Sequence, residues 1–242
     1  AKSLTRGLRD YNGVSKSVCL LVNDSDGCTT TIHGVGFGPL IITNRHLFKR
    51  NNGVLTIRSM HGEFKVVNSA AIKVYPVGNC DIVLLKMPKD FPPFPMKLKF
   101  RVPQSNDLVC LIGSNFQEKF ASSTVSGSSN ISHVANSNFW RHWIDTKDGQ
   151  CGLPLVAQND GHLLGIHSLT STHSDQNFFT AFPENFKECL DQTDSISWAK
   201  GWLYNPNEIG WGSLKLKESS PKGLFKIEKL IEDLNTEVVS EQ

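Results

Sequence analysis

One cysteine of the sequence lies in a setting that suits a nucleophile. Cys151 stands in the segment TKDGQCGLPLV (146–156), between Gly149 and Gly152. Glycines let the backbone turn sharply, and the N–H groups of Gly149, Gln150 and Cys151 can then converge as an oxyanion hole. A buried cysteine in a glycine turn has the same local pattern, because free cysteine is among the most buried residue types. Cys151 taken alone therefore leaves both interpretations open.

A histidine in the first half of the chain has the properties of a base for that thiol. The segment GVGFGPLIITNRHLF (34–48) has the pattern of a glycine-rich strand that leads directly into His46. Because a thiol is only partly ionised near pH 7, a neighbouring imidazole normally takes its proton. His142 fits either face of a strand. Four further histidines lie in plainer settings, beside glycine in turns or in polar loops: His61, His162, His133 and His173.

An aspartate completes a possible triad. Asp81 opens the apolar run DIVLLKM (81–87), where it can accept the second imidazole N–H and hold His46 in one tautomer. An ordinary turn aspartate ahead of a strand is the alternative. The order His46, Asp81, Cys151 is the order of these roles in chymotrypsin-like enzymes, whereas other hydrolase folds order them differently. The three residues together favour nucleophilic catalysis by Cys151.

A substrate pocket is suggested on either side of the cysteine. His167 lies in GIHS (165–168) shortly after it, and Thr146 lies shortly before it. A neutral imidazole and a hydroxyl can bind an uncharged amide, which would select glutamine over glutamate or lysine. A satisfied core histidine is the alternative interpretation of His167.

The elements that must position these residues are short strands. Several β-rich runs separated by turn signals predict an all-β fold of barrel or sandwich type. The proline-rich segment 89–103 suits neither a helix interior nor a central strand, so it is predicted to connect two β-domains. Residues 223–237 have apolar residues at helical spacing, which predicts a short helix or a mobile tail. The predicted strands are 17–22, 30–37, 39–43, 54–59, 63–67, 81–87, 108–113, 139–144, 153–158, 162–168 and 177–182.

Composition narrows the class of protein. A hydrophobic content of 39 % with 20 % charged residues argues against wholesale disorder. The 25 basic and 23 acidic side chains nearly balance, which gives no basis for nucleic-acid binding. Six cysteines without a CxxC pair predict neither a zinc site nor a disulfide framework, and no cofactor is predicted. There is no signal-peptide pattern, and no apolar run approaches the roughly 18 residues of a membrane helix. We expect free thiols in a reducing, intracellular compartment and no membrane partner.

Longer motifs resemble a known family. The segments GFGPLIITNRHLFKRNNG (36–53), KDFPPFP (89–95), FWRHWI (139–144), TKDGQCG (146–152) and GIHSLT (165–170) closely resemble the nuclear inclusion a protease of potyviruses. The likeness runs from about residue 4 to residue 213. It implies a chymotrypsin-like cysteine endopeptidase that releases mature proteins from a viral polyprotein.

The resemblance also implies a division of the chain. Two antiparallel six-stranded β-barrels would enclose the active site between them. The first, residues 1–95, would carry His46 and Asp81, and the second, residues 96–215, would carry Cys151. Residues 216–242 would form a C-terminal tail.

Specificity residues follow from the same resemblance. Thr146, Asp148, His167 and the adjacent Ser168 are expected to form the glutamine pocket, and Trp211 is expected to bind residues upstream of the cut. The family commonly has Arg before the triad aspartate, whereas this chain has Cys80.

Other expectations concern partners and place. The resemblance implies RNA as an additional partner, and the host nucleus and cytoplasm as the location. The competing hypothesis is an RNA- or partner-binding module on a protease-like scaffold, for which an intact triad would be unnecessary. A serine hydrolase is disfavoured because no GxSxG motif occurs.

The final residues EVVSEQ (237–242) are themselves a candidate substrate. Gln242 is the residue the pocket would select, with Val239 three positions before it and Glu237 two further back. This pattern resembles family cleavage sites of the form E-x-V-x-x-Q. We therefore hypothesise that Gln242 marks a self-cleavage site and that the tail binds as the product.

Overall fold

The computed structural model describes residues 11–115, 122–194, 202–217 and 236–242. Seventeen strands and the short α-helix Phe186–Asp191 are defined in these ranges, and residues 11–15 are also helical. The strands are β1 Val18–Ser25, β2 Cys28–Phe37, β3 Leu40–Thr43, β4 Val54–Ser59, β5 Gly62–Val66, β6 Lys73–Pro76, β7 Val83–Lys86, β8 Leu108–Asn115, β9 Ser122–Val125, β10 Ser129–Asn130, β11 Ser132–His133, β12 Phe139–His142, β13 Pro154–Ala157, β14 Leu163–Ser171, β15 Asn177–Ala181, β16 Leu214–Leu216 and β17 Glu237–Glu241.

The first sheet contains the seven strands of the N-terminal half, in the order β5-β4-β1-β2-β3-β7-β6. Its pairs are antiparallel, and short turns set their register. Ser25 pairs with Cys28 across the two-residue turn Asp26–Gly27, in which both residues have positive φ. Such a turn matches the twist of a hairpin and favours the Asp-Gly sequence found there.

The second sheet contains ten strands of the C-terminal half. Its main path is β10-β8-β13-β14-β15-β12-β11, β9 pairs with β8, and β17 pairs with both β14 and β16. All of these pairs are antiparallel except β16 with β17, which is parallel. The last residues of the chain are therefore an integral strand of this sheet.

The all-β architecture of two antiparallel sheets predicted from the sequence is confirmed. The sheets have seven and ten strands rather than six each, because short strands without a clear alternation, such as β6, β16 and β17, extend them. The serine-rich segment 122–130, which lies outside the predicted strands, contains β9 and β10. Most of the helix predicted over residues 223–237 lies outside the described residues.

The two sheets share a core that fixes their relative position. Val35 and Ile42 of the first sheet pack in one cluster with Cys110, Val156 and Ile166 of the second. The connecting segment is anchored by Phe91 and Phe94, which are buried in the core of the first sheet. Residues on the facing loops of the two sheets are thereby held together.

No helix in the described ranges is long and apolar enough to span a membrane.

Candidate active site

His46 and Asp81 form a buried pair at the edge of the first sheet. His46 lies in the 3-10 turn Arg45–Phe48 that follows β3, and Asp81 lies in the turn before β7. The Nδ1 atom of His46 is 2.7 Å from Oδ2 of Asp81, and the backbone N–H of His46 donates to Oδ1 at 3.0 Å. Both side chains are at least 96 % buried. A carboxylate that accepts from Nδ1 leaves Nε2 free to act as the base.

Asp81 has further support that the sequence did not predict. The side-chain amide of Asn44 donates to Oδ2 of Asp81 at 3.2 Å and also contacts the carbonyl of His167. Cys80, which replaces the family's arginine, is buried and donates its thiol hydrogen to the carbonyl of Val77 at 2.9 Å. The carboxylate therefore keeps several donors without a charged neighbour at position 80.

The turn that carries Cys151 is built as the glycine pattern predicted. Gly149 and Gly152 have φ values of 90° and 86°. A Cβ at Gly152 would lie 1.8 Å from the carbonyl oxygen of His33, so no larger residue fits without movement. The carbonyl of Cys151 accepts from the backbone N–H of His33 at 2.8 Å, and Nδ1–H of His33 donates to the carbonyl of Gly149 at 2.8 Å. Strand β2 of the first sheet thus holds the cysteine turn of the second.

Cys151 lies beside His46 with its thiol turned aside. The sulfur donates to the carbonyl of Ser168 at 2.9 Å, and Nε2 of His46 has no hydrogen-bond partner among the described residues. Burial raises the pKa of Cys151, and the nearby His46 opposes that rise. Burial lowers the pKa of His46, but the charges of Asp81 and Cys151 outweigh it, so that pKa lies well above 6.5. The two groups are close enough to exchange a proton once the thiol rotates.

One of the three predicted oxyanion donors contacts the end of the chain. The backbone N–H of Gly149 donates to the main-chain oxygen of Gln242 at 2.7 Å. The N–H of Gln150 instead donates to the carbonyl of Lys147 at 3.2 Å, because the cysteine turn closes on itself there. The sulfur of Cys151 also lies close to Gln242. A hydrogen bond with the backbone of Gln242 lowers the pKa of Cys151. The oxygen of Gln242 stands in for the carbonyl oxygen of a bond to be cut.

The side chain of Gln242 enters the predicted pocket. Its Oε1 accepts from Oγ1 of Thr146 at 2.5 Å and lies 2.7 Å from Nε2 of His167. Ser168 contributes its carbonyl, which accepts from the backbone N–H of Gln242 at 3.3 Å, while its hydroxyl faces Asn44 inside the protein. Asp148 is exposed and makes no hydrogen bond or ion pair with the described residues, so its predicted role in the pocket stays a prediction.

The residues before Gln242 lie as a strand in a groove. Strand β17 is antiparallel to β14, where Ser171 pairs with Val239, and parallel to β16. Val239 is fully buried in a cluster with Phe139, Leu214 and the partly buried Trp211. Trp211 stacks on Phe139 with ring centroids 5.5 Å apart. The predicted contact of Trp211 with the upstream segment is therefore made through the apolar pocket of Val239.

Two acidic side chains of β17 face basic residues. Nζ of Lys49 is 3.0 Å from a carboxylate oxygen of Glu241, and Nε of Arg141 is 3.5 Å from one of Glu237.

Within the described residues no group of three or more His, Cys, Asp or Glu side chains could hold a metal ion.

Sequence reasoning missed three residues of this site. Asn44 and His33 connect the two halves of the site through hydrogen bonds. His142, left open between two faces, is fully buried behind His167. The position of Asn44, two residues before the candidate base, is a signal that could have drawn attention to it.

Comparisons with known proteins identify the family and the fold of this chain. The model of Peptidase family C4 matches residues 1–232. The genome polyprotein of Turnip mosaic virus (strain Japanese) is 51 % identical over 243 residues, covering all of this chain, which spans only 8 % of that polyprotein. The crystal structure of a Tobacco Etch Virus protease mutant is 45 % identical with a TM-score of 0.85, covering 97 % of this chain and 98 % of that one.

A second solved structure is a complex with product. Catalytically active Tobacco Etch Virus protease complexed with product is 50 % identical with a TM-score of 0.77, covering 81 % of this chain and 85 % of that one. These matches confirm the resemblance and the chymotrypsin-like fold expected from the sequence.

Proposed function

The chain belongs to peptidase family C4, and from this membership we propose that it is a cysteine endopeptidase that cuts a viral polyprotein after glutamine. The observation that carries the proposal is the position of Gln242. Its main-chain oxygen accepts from Gly149, its side chain bonds to Thr146 and His167, and Cys151 lies beside it. A peptide product of such an enzyme would be held in the same way.

The preferred substrate is an extended segment of the form E-x-V-x-x-Q. Main-chain pairing with β14 and β16 aligns any sequence, because it uses backbone groups alone. Alternate side chains then meet specific pockets. The apolar pocket takes the aliphatic residue at the position of Val239, Arg141 attracts the acid at Glu237, and Lys49 favours an acid at Glu241.

The chemistry follows from the roles of three side chains. The thiol of Cys151 gives its proton to Nε2 of His46 while the sulfur attacks the carbonyl carbon of glutamine. The oxygen that gains negative charge is stabilised by the N–H of Gly149. Asp81 stabilises the imidazolium. Collapse of this intermediate breaks the C–N bond, and His46 passes its proton to the leaving amine.

The second half of the reaction restores the enzyme. Water gives a proton to Nε2 of His46 and attacks the thioester carbon, and the C–S bond breaks as that proton passes to the sulfur of Cys151. The glutamine product leaves with a free carboxyl group, which then ionises by losing a proton to solvent. We include self-processing in the proposal, since Gln242 itself makes the pocket contacts. Binding of RNA and residence in the host nucleus and cytoplasm stay predictions from the resemblance.

The test is a cleavage assay with matched peptides. One peptide places EVVSEQ before a small residue, and a second carries Ala in place of the glutamine. We expect mass spectrometry to find cleavage after glutamine in the first peptide and none in the second.

The matched enzyme variants are Cys151→Ala and Cys28→Ala. Cys28 is an exposed cysteine that makes none of the contacts described for the site, so its loss should leave the rate unchanged. Cleavage by Cys151→Ala above a trace, or equal cleavage of the two peptides, would contradict the proposal.

A further inference from the structure

Behind the residue that touches glutamine lies a second buried histidine. His142 is on β12 and His167 is on β14, and neither side chain is exposed. Their ring centroids are 5.2 Å apart at an interplanar angle of 73°, and Nε2 of His142 is 3.1 Å from Nδ1 of His167. The chemistry proposed above gives His142 no role.

The backbone fixes which nitrogen of His142 carries the proton. The N–H of Ile144 donates to Nδ1 of His142 at 3.2 Å. A backbone N–H can only donate, so this Nδ1 is unprotonated and the ring proton lies on Nε2. Ile144 is itself held in place, because its carbonyl accepts from the side-chain amide of Asn177 at 2.6 Å.

Each of the two imidazoles carries a single proton. Burial lowers the pKa of His142 well below 6.5 and lowers the pKa of His167 to about 4. Both rings are therefore neutral at pH 7, with one N–H each. Since Nε2–H of His142 points at Nδ1 of His167, that Nδ1 must be the acceptor. The proton of His167 then lies on Nε2, 2.7 Å from Oε1 of Gln242.

We propose that His142 is a positioning residue for specificity, whose donated N–H holds His167 in the tautomer that reads the amide oxygen of glutamine. This inference rests on the proposed function, because it explains how the same pocket selects its residue. Nε2–H of His167 and the hydroxyl of Thr146 present two donors to one acceptor. With the other tautomer, Nε2 would be an acceptor facing Oε1, and the pocket would lose its preference for an oxygen at that point.

A neutral pair also rejects charged side chains. A buried carboxylate would need a charged partner, and a buried ammonium would need acceptors where the pocket has donors. His142 supplies neither charge nor acceptor to the substrate. The hydrogen bonds from Ile144 to His142 and from His142 to His167 thus favour a neutral side chain with an acceptor oxygen, as glutamine has.

The direct test reads the tautomers by NMR in the whole protein. Histidines are labelled with 15N, and long-range correlations from the ring hydrogens identify which nitrogen is protonated; His142→Phe and His167→Phe assign the signals. We expect both rings to be neutral with the proton on Nε2 at pH 7. A His167 protonated on Nδ1, or on both nitrogens, overturns the inference. This measurement does not depend on catalysis.

The functional test compares peptides with Gln and Met before the cut, since methionine has a similar length but no amide. His142→Phe keeps a planar ring and removes the donor. We expect the ratio of kcat/KM for Gln over Met to fall about tenfold or more. His142→Gln, whose amide can donate from nearly the same place, should restore part of the ratio.

The matched control is His61→Phe, which changes an exposed histidine in the turn before β5 and should leave the ratio unchanged. A folded His142→Phe enzyme with an unchanged ratio contradicts the inference; if that variant fails to fold, the NMR result decides. A wild-type enzyme that cuts neither peptide refutes the proposed function instead, while the tautomers remain measurable.

Discussion

At the scale of single residues, Asp81 sets the working pH of the proposed base. Its carboxylate accepts from Nδ1 of His46 and raises the pKa of that imidazole against the opposite effect of burial. Catalysis needs His46 unprotonated before proton transfer, so activity is lost as the pH falls through its pKa. We therefore expect the acid limb of kcat to lie above pH 6.5 in the wild type.

Asp81→Asn tests this account. Loss of the charge lowers the pKa of His46, so the acid limb should move to lower pH, while kcat falls about 10²- to 10⁴-fold because the imidazolium and its tautomer lose support. A pH profile of kcat with saturating peptide makes the measurement. An unchanged acid limb would mean that another group raises the pKa of His46.

Lys49 provides a second prediction at this scale. Its ammonium is 3.0 Å from Glu241, the residue before the glutamine. Because Lys49 is 55 % exposed, solvent screens the pair, and Lys49→Glu should lower kcat/KM for EVVSEQ peptides only about two- to fivefold. A peptide with Lys at the position of Glu241 should then be cut better by Lys49→Glu than by the wild type. If both enzymes rank the two peptides alike, the pair does not contribute to preference.

At the scale of elements, the strands that lie within a run of β-rich residues were predictable, and the others were not. The predicted runs 39–43, 81–87 and 153–158 contain the four-residue strands β3, β7 and β13, whereas β6, β9 and β16 lie outside every predicted run. β1, β2, β4 and β14 match the predicted runs closely. In β1 and β4 buried side chains recur at a period of two, whereas β14 is buried along almost its whole length. β12 is only four residues long and buries Phe139 and His142, which lie at positions of opposite parity. The sequence therefore could not assign a face to His142. β16 and β17 depend on pairing with each other, which no local pattern reveals.

The cysteine turn gives a prediction about backbone geometry. Gly152 and Gly62 both have positive φ, but a Cβ at Gly62 meets nothing within 4 Å, whereas one at Gly152 would overlap the carbonyl of His33. Gly62→Ala should cost about 1–2 kcal/mol of unfolding free energy, from backbone strain alone. Gly152→Ala should cost more and should abolish peptide cleavage, because the turn must move away from His33.

Chemical denaturation and the peptide assay together measure these effects. Gly62→Ala is the matched control for strain, and it should retain the wild-type kcat. Equal destabilisation by the two substitutions, with activity kept in Gly152→Ala, would show that the turn adapts without loss of the site.

At the scale of the whole molecule, the site exists only because two sheets meet. His46 and Asp81 come from the first sheet and Cys151 from the second, and Asn44 bonds to both Asp81 and His167. The sequence supplied the order and types of the triad residues. It could not supply the links across the interface, because Asn44 and His33 reach partners more than 100 positions away. Contacts between residues so far apart in the chain produce no local pattern in the sequence.

The tail extends from the second sheet into the site itself. β17 occupies the groove that a substrate would need, burying Val239 and filling the pocket with Gln242. A tethered segment competes at an effective concentration of the order of 1 mM, whatever the enzyme concentration. If its own dissociation constant is below that value, the apparent KM must more than double. Removal of residues 237–242 should therefore lower the apparent KM at least about twofold and leave kcat unchanged.

Gln242→Ala separates specific occupancy from a general effect of the tail. It keeps the length of the chain and removes the contacts with Thr146 and His167, so it should lower the apparent KM much as the deletion does. Ser240→Ala changes a partly buried residue whose hydroxyl makes no hydrogen bond with any described residue, and it should leave KM at the wild-type value. The measurement is initial rate against peptide concentration at several enzyme concentrations. Occupancy within one molecule gives the same KM at all of them, whereas occupancy by a neighbour makes KM rise with enzyme concentration. An unchanged KM in both the deletion and Gln242→Ala would show that the tail does not compete with the substrate.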